Sequence, residues 1–406
     1  MLNNNTITVI LAGGVGSRLH PLTGDRAKPA VPFGGKYRII DFALTNCLHS
    51  GLRRILILTQ YKSHSLQKHI RDGWSILNPE LGEYITLVPP QMRTGTDWYS
   101  GTADAIYQNL YLLKRSGAKN VIILPGDHIY RMDYAPLVEA HENSEAFLTI
   151  ACMNVPIEEA HHFGIVSLDE QQQVIGFHEK PTHAQPLIDN SNYALASMGV
   201  YVFNMDYLVD ALEQDHSLDR SSHDFGNDII PRLIDDQKVY GYHFGGANGR
   251  VTPDNYWRDV GTVDAYYQTN MDLLKEIPPM DLYQSDWPVR TYSAQYPPAR
   301  TVPGVYGSEG IAINSIIANG TVIAGGSAQH SILFNNVFLD DEANVQNSLL
   351  LDGVKVGKGS QLNNCIVDKY VTIPDGETIG YDLEKDKARF TVSTNGIVVI
   401  SKDHVF

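Results

Sequence analysis

Residues 7–30, ITVILAGGVGSRLHPLTGDRAKPA, decide how the rest of this chain is read. The apolar run 7–12 predicts a short buried strand, and Gly13 and Gly14 predict a tight turn directly after it. A glycine turn at a strand end lets backbone N–H groups approach a phosphate chain closely. The stretch is not a Walker A loop, because no Gly-Lys-Ser/Thr follows. It also departs from the dinucleotide fingerprint, since Leu19 occupies the third glycine position after Gly14 and Gly16. Two fixed cations, Arg18 and Lys28, follow within a segment opposed only by Asp25. A bare turn with two solvated charges is the plain alternative, but turn, Arg and Lys-Pro together are more specific.

Working outward, strand and helix signals alternate. RILILT (54–59) is followed by a helical stretch to about Trp74, and GTADAIYQNLYLLKRSG (101–117) reads as a helix capped by Thr102 and ending near Gly117. NVIILPGD (120–127) is a further strand, and shorter strands near 147–153, 163–168, 174–179 and 198–203 suggest mixed pairing in the same sheet. Such alternation predicts an α/β, Rossmann-like mixed and mostly parallel sheet covered on both faces. Helical stretches near 205–213 and 262–275 close this unit, which spans 1–275.

Residues 276–310 are proline-rich and aperiodic, the signature of a linker or a strap packed on the surface. Beyond 311 lies a repeat. Ser331, Ser348 and Cys365 recur at one constant interval, each followed by two aliphatics, and Val337, Val354 and Val371 keep the same interval. That self-similarity predicts stacked coils of a parallel β-solenoid over 311–406, three coils or so, with a sandwich of short antiparallel strands as the alternative.

The 406 residues carry 31 Lys and Arg against 46 Asp and Glu, a net charge of −15. Nucleic-acid and anionic-membrane binders need a basic face, so both classes are excluded as partners, and a phosphorylated ligand needs a local basic pocket. Three distant cysteines form neither a disulfide framework nor a zinc site. The start, MLNNNTITVILAGG, has no cationic region or apolar signal core, so a soluble, cytoplasmic protein is expected. Asp127, just past a strand end, lies where open α/β sheets place ligands, although aspartate after glycine also serves simply as a turn residue. Asp259 is a second candidate carboxylate; Mg²⁺ often takes only one or two, completed by phosphates and water. Glu179 and Lys180 at the end of VIGFHEK read, from the residues alone, first as a solvated surface pair.

From Gly13 onward the chain resembles the sugar-nucleotide pyrophosphorylases, and KPAVPFGGKYRIIDFALTNCLHSG (28–51) resembles their ADP-glucose pyrophosphorylase (glucose-1-phosphate adenylyltransferase) branch. WYSGTADA (98–105), PGDHIY (125–130), EKP (179–181), ASMGVYVF (196–203), SSHDFGNDIIP (221–231) and YWRDVGT (256–262) match that family in order. The resemblance implies Mg²⁺-dependent conversion of ATP and glucose 1-phosphate to ADP-glucose and diphosphate, the committed step of bacterial glycogen synthesis. It implies a homotetramer whose solenoid is a left-handed parallel β-helix. It assigns catalysis to Arg18, Lys28 and Asp127, and the metal to Asp127 and Asp259. Nucleotide contacts fall on Leu11, Ala12, Gly13, Gly14, Gln91 and Gly101, and glucose 1-phosphate contacts on Tyr99, Gly164, Glu179, Lys180 and Ser197. Sugar-phosphate and AMP-type effectors are implied through Arg26, Arg38 and Arg115, while Asp25 departs from the Lys that enterobacterial members carry. Other readings are a sister enzyme with another nucleotide or sugar, a non-catalytic regulatory subunit, and a solenoid acyltransferase.

Overall fold

The computed structural model describes residues 5–91, 98–236, 238–245 and 255–406. Thr6–Ala12 is the centre of a nine-stranded mixed sheet. It pairs in parallel with Arg54–Thr59 on one side and Asn120–Pro125 on the other, and Tyr84–Val88 extends the parallel half. Its side chains explain its composition. Ile7 and Val9 pack into one apolar layer and Ile10 and Ala12 into the opposite one, so neither face of the strand is solvated, and Thr6 and Thr8 are buried with them. The other half is mostly antiparallel, with Val239–His243 added in parallel beside Leu148–Pro156. Tyr193–Asn204 pairs with Asn120–Pro125, with Leu148–Pro156 and with Gly164–Leu168, and Val174–Glu179 forms the edge.

The solenoid is a three-faced parallel β-helix with strands stacked from Arg300–Val302 to Val398–Ile400. The aliphatic doublets divide their work. Leu333, Leu350 and Val367 point into the coil, whereas Ile332, Leu349 and Ile366 pack against Phe33, Phe42 and Tyr266 of the α/β unit. Burying each of these outward residues contributes about 1.5–3 kcal/mol, enough to weld the two units together. The small residue ahead of each doublet forms a ladder: Ser331 Oγ accepts the Ser348 amide at 3.1 Å, and Ser348 Oγ accepts the Cys365 amide at 3.1 Å.

Two expectations change. The solenoid stacks five strands on two of its faces instead of three coils, because a further doublet, Ser315-Ile316-Ile317, precedes the other three, and its step to Ile332 is shorter than the step from Ile332 to Leu349, which breaks the constant interval. The strand Arg300–Val302 already pairs with Val322–Ala324, so the first coil begins inside the stretch 276–310 whose composition suggests a linker. Residues ahead of it do form a surface strap: Trp287 is buried and donates to Asn46, and Thr291 donates to the buried Asp41 carboxylate at 2.6 Å.

The units are also joined by a buried ion pair. Arg26 contacts both oxygens of Asp368, at 2.8 and 3.1 Å, and the residues are 5% and 2% exposed. Removing one partner strands a buried charge, which costs about 3–5 kcal/mol, whereas replacing both with apolar groups costs far less. Asp368→Ala should therefore lower unfolding stability by about that amount, and the double variant Arg26→Met/Asp368→Leu should recover most of it in denaturant melts. A double variant no more stable than the single one would contradict this.

Candidate active site

The carboxyl ends of the parallel strands converge on a cleft of about 610 Å³ whose walls include Gly13, Gly14, Tyr99, Asp127, Glu179 and Lys180. Gly126 donates to the Leu11 carbonyl at 3.0 Å, so the chain after one strand crosses the end of the central strand and delivers Asp127 there. Asp259 arrives from much further along the chain. Its strand, Trp257–Asp259, pairs antiparallel with His128–Tyr130, and the register sets Asp259 opposite His128.

Lys28 unites them. Its Nζ lies 2.8 Å from Asp127 Oδ2 and 2.9 Å from Asp259 Oδ1, with the lysine only 7% exposed. Burial works against the ammonium, but the two carboxylates outweigh it and raise its pKa. Burial likewise pushes Asp127 up, and Lys28 and then His128 overcome this to hold the carboxyl below the usual range. Two hard anionic oxygens turned toward one cationic position also fit Mg²⁺, which needs few carboxylates when phosphate and water complete its shell. No cage of three or more His, Cys, Asp or Glu gathers among the described residues.

Arg18 is exposed on the turn Ser17–Leu19 and lies with Asp259 around Gly261. Leu11, Ala12, Gly14, Arg18, Lys28 and Asp127 share a smaller side channel of about 210 Å³. Tyr99 lines the main cleft and its hydroxyl accepts from Asn109 at 3.0 Å. Lys180 has a positive φ of 45° and its Nζ contacts Glu179 Oε1 at 2.5 Å.

Several expected residues sit behind the wall. Gly164 leaves room for Phe177 and the Glu179 carboxylate, which any Cβ there would meet. Ser197 is buried where the register shifts between Ser197 and Tyr201, and its Oγ is 3.5 Å from the Tyr201 hydroxyl. Gly101 lines the cleft but also lies tight against the His223 carbonyl. Gln91 is exposed and donates to the Pro89 carbonyl, beside residues outside the described set. Tyr201, Asp224 and Phe225 also line the cleft, and sequence reasoning misses them; the Asp-Phe-Gly turn of SSHDFGND is the signal that points there.

The regulatory candidates disperse. Arg38 lines a cavity of about 560 Å³ between the two units, together with Lys36, Lys369, Tyr292, Tyr296 and Tyr370. Asp25 pairs with Lys402 at 2.8 Å, and Arg26 is committed to Asp368. Arg115 is exposed on the helix Leu110–Ser116, away from that cavity.

A glycine turn on the central strand, with two cations and two carboxylates at the sheet's carboxyl edge, is the layout of a nucleotidyl transferase. The nucleotidyl transferase family model matches residues 7–276, and the model described as GlmU-like, C-terminal hexapeptide matches 297–400. Glucose-1-phosphate adenylyltransferase 2 of Vibrio cholerae is 58% identical over 402 residues, 99% of each chain. The Vibrio vulnificus protein of the same name is 62% identical over 98% of this chain and 99% of its own. Glucose-1-phosphate adenylyltransferase of Methylobacillus flagellatus is 46% identical over 99% of this chain and 94% of its own. The chain belongs to the glucose-1-phosphate adenylyltransferase family. No helix among the described residues is long and apolar enough to cross a membrane.

Lys28→Met would leave two carboxylates facing each other without a cation and should lower Tm by several degrees at pH 7. A carboxylate with a depressed folded pKa adds stability above its unfolded value of 3.8 and loses it as pH falls toward about 2. The Tm gap between parent and variant should therefore be full at pH 6–7 and smaller at pH 3–4; an unchanged gap would separate Lys28 from the aspartates.

Proposed function

We propose that this chain transfers the adenylyl group of ATP to glucose 1-phosphate, giving ADP-glucose and pyrophosphate. The observation that carries this reading is the buried Lys28 held between Asp127 and Asp259 at the mouth of a glycine turn, in a chain of this family. A phosphate oxygen of glucose 1-phosphate attacks the α-phosphorus in line; the bond from that phosphorus to the bridging oxygen breaks, and pyrophosphate leaves with the electron pair. The nucleophile is already anionic, so no histidine or serine base is needed. Positioning and charge neutralisation do the work.

The Gly13–Gly14 turn, with Leu11 and Ala12 beneath it, receives the nucleotide, and Gly101 and Gln91 belong to its side of the cleft. Arg18 and Lys28 hold the ATP phosphates. Lys180 anchors the phosphate of the sugar, while Glu179 and Tyr99 face its hydroxyls; Gly164 and Ser197 support Glu179 and Tyr201 from behind. Asp127 and Asp259 would hold Mg²⁺, which supplies charge neutralisation at the transferring phosphate. In this reading the enzyme is a cytoplasmic homotetramer. The basic, tyrosine-lined cavity at Arg38 supports sugar-phosphate or AMP-type effectors; Arg26 and Arg115 keep the family's regulatory positions, and Asp25 replaces the Lys of enterobacterial members with an altered effector preference.

Purified protein given ATP, Mg²⁺ and glucose 1-phosphate should release pyrophosphate, and exchanging ATP for UTP, GTP or dTTP should abolish most of it. No release with ATP, or release favouring another nucleotide, would overturn the assignment. Asp127→Asn should lower kcat by a factor on the order of 10²–10⁴ with little change in ATP affinity. Near-normal kcat at saturating Mg²⁺ would remove Asp127 from the mechanism. Lys180→Ala should raise KM for glucose 1-phosphate and leave KM for ATP nearly constant. A parallel rise in both would place Lys180 elsewhere.

A further inference from the structure

The two walls of the main cleft come from segments far apart in sequence, residues 98–107 and 221–229, and three links fasten them together. The carbonyl of His223 accepts the amides of Ala103, at 2.8 Å, and Asp104, at 3.3 Å. These are first-turn donors of the helix Thr102–Tyr107, whose preceding residue, Gly101, provides no side-chain cap. Thr102 Oγ1 donates to Asp224 Oδ2 at 2.8 Å and accepts the Phe225 amide at 3.1 Å. Gly101 passes so close to the His223 carbonyl that a Cβ there would overlap it.

The expectation that Thr102 caps its own helix therefore gives way to a different role. Its hydroxyl is spent across the cleft. The other side of the joint is braced from behind. His223 has a left-handed φ of 54°, and its Nδ1 lies 2.7 Å from Asp215 Oδ2. Asp215, 2% exposed, also receives Ser221 Oγ at 2.7 Å and the Arg232 guanidinium. Asp224 Oδ1 accepts the amides of Gly226 and Asn227, so both of its oxygens serve the joint. Gly226 lies directly against the Glu179 carboxylate, which carries the joint's geometry to the Glu179–Lys180 wall.

We propose that Thr102 and the His223 main chain are positioning elements that lock the Asp224–Gly226 turn to the Tyr99–Thr102 turn, so that both walls meet their ligands as one unit. Neither residue takes part in the chemical step. The identity of the ligands rests on the function proposed above; the joint itself does not. Loosening it should weaken capture of the sugar phosphate more than it slows turnover at saturation.

Two disruptive variants and one rescue variant test this. Thr102→Val removes the hydroxyl at nearly constant volume, and Thr102→Ser restores it; Gly101→Ala drives a methyl into the His223 carbonyl. In Thr102→Val, KM for glucose 1-phosphate should rise about tenfold while kcat stays within about threefold and Tm within a few degrees. Amide exchange of the ligand-free protein, read by mass spectrometry on peptides covering 98–107 and 221–229, should speed up at both segments in Thr102→Val and Gly101→Ala. Thr102→Ser should return both readouts to the parent values. Parent-like exchange and KM in both disruptive variants would overturn the proposal. So would a Thr102→Val variant whose kcat, both KM values and Tm decline together without recovery in Thr102→Ser. The exchange arm uses no substrate, so its failure counts against the joint alone, whereas a parent protein that makes no pyrophosphate from ATP and glucose 1-phosphate counts against the function alone.

Discussion

An ammonium group buried to 7% exposure needs anions around it, and Lys28 obtains them from two aspartates that lie far apart in the sequence. Much of the architecture serves that meeting. The parallel half of the sheet carries Asn120–Pro125 alongside Thr6–Ala12, which brings Asp127 to the glycine turn. The short antiparallel pair Trp257–Asp259 with His128–Tyr130 returns the chain to the same place after the whole antiparallel half has been built. The helix Val263–Met271 follows directly, and its Tyr266 and Tyr267 pack onto the solenoid. The site and the joint between the two units therefore share one structural root.

The solenoid can be understood in the same terms. Its Ser-aliphatic-aliphatic repeat serves two cores at once, the second aliphatic filling the coil and the first covering the α/β unit. The contact is reinforced by polar links that need register: Arg26 to Asp368, Tyr267 to the Asn347 carbonyl at 2.6 Å, and Ser393 to Asp264 at 2.5 Å. The basic cavity holding Arg38 lies along this boundary, so a ligand bound there would touch both units.

Local signals carry well from sequence to structure. The strand before Gly13, the end of the helical stretch at Gly117 in a left-handed cap, and the regular ladder of the solenoid are all set by neighbouring residues or by a fixed period. Asp127 is legible because strand ends in open sheets are where ligands sit. The contacts that are not legible share a cause: they depend on separations no local pattern encodes. Lys28 and Asp259 are 231 residues apart, and Thr102 and Asp224 are 122 apart. Gly164 makes room for Phe177 and Glu179, and Gly101 lines the cleft while lying tight against the His223 carbonyl; only the packing beside them reveals these second roles. The start of the solenoid is hidden by prolines that flank its first strand.

The proposed reaction is a single displacement at the α-phosphorus of ATP, driven by fixed charges with no covalent enzyme intermediate. Stereochemistry tests it most directly. ATP carrying one sulfur in a defined configuration at the α-phosphorus should give ADP-glucose with that centre inverted, as one in-line attack requires. Retention of configuration would mean two successive displacements through an enzyme nucleophile and would contradict the account.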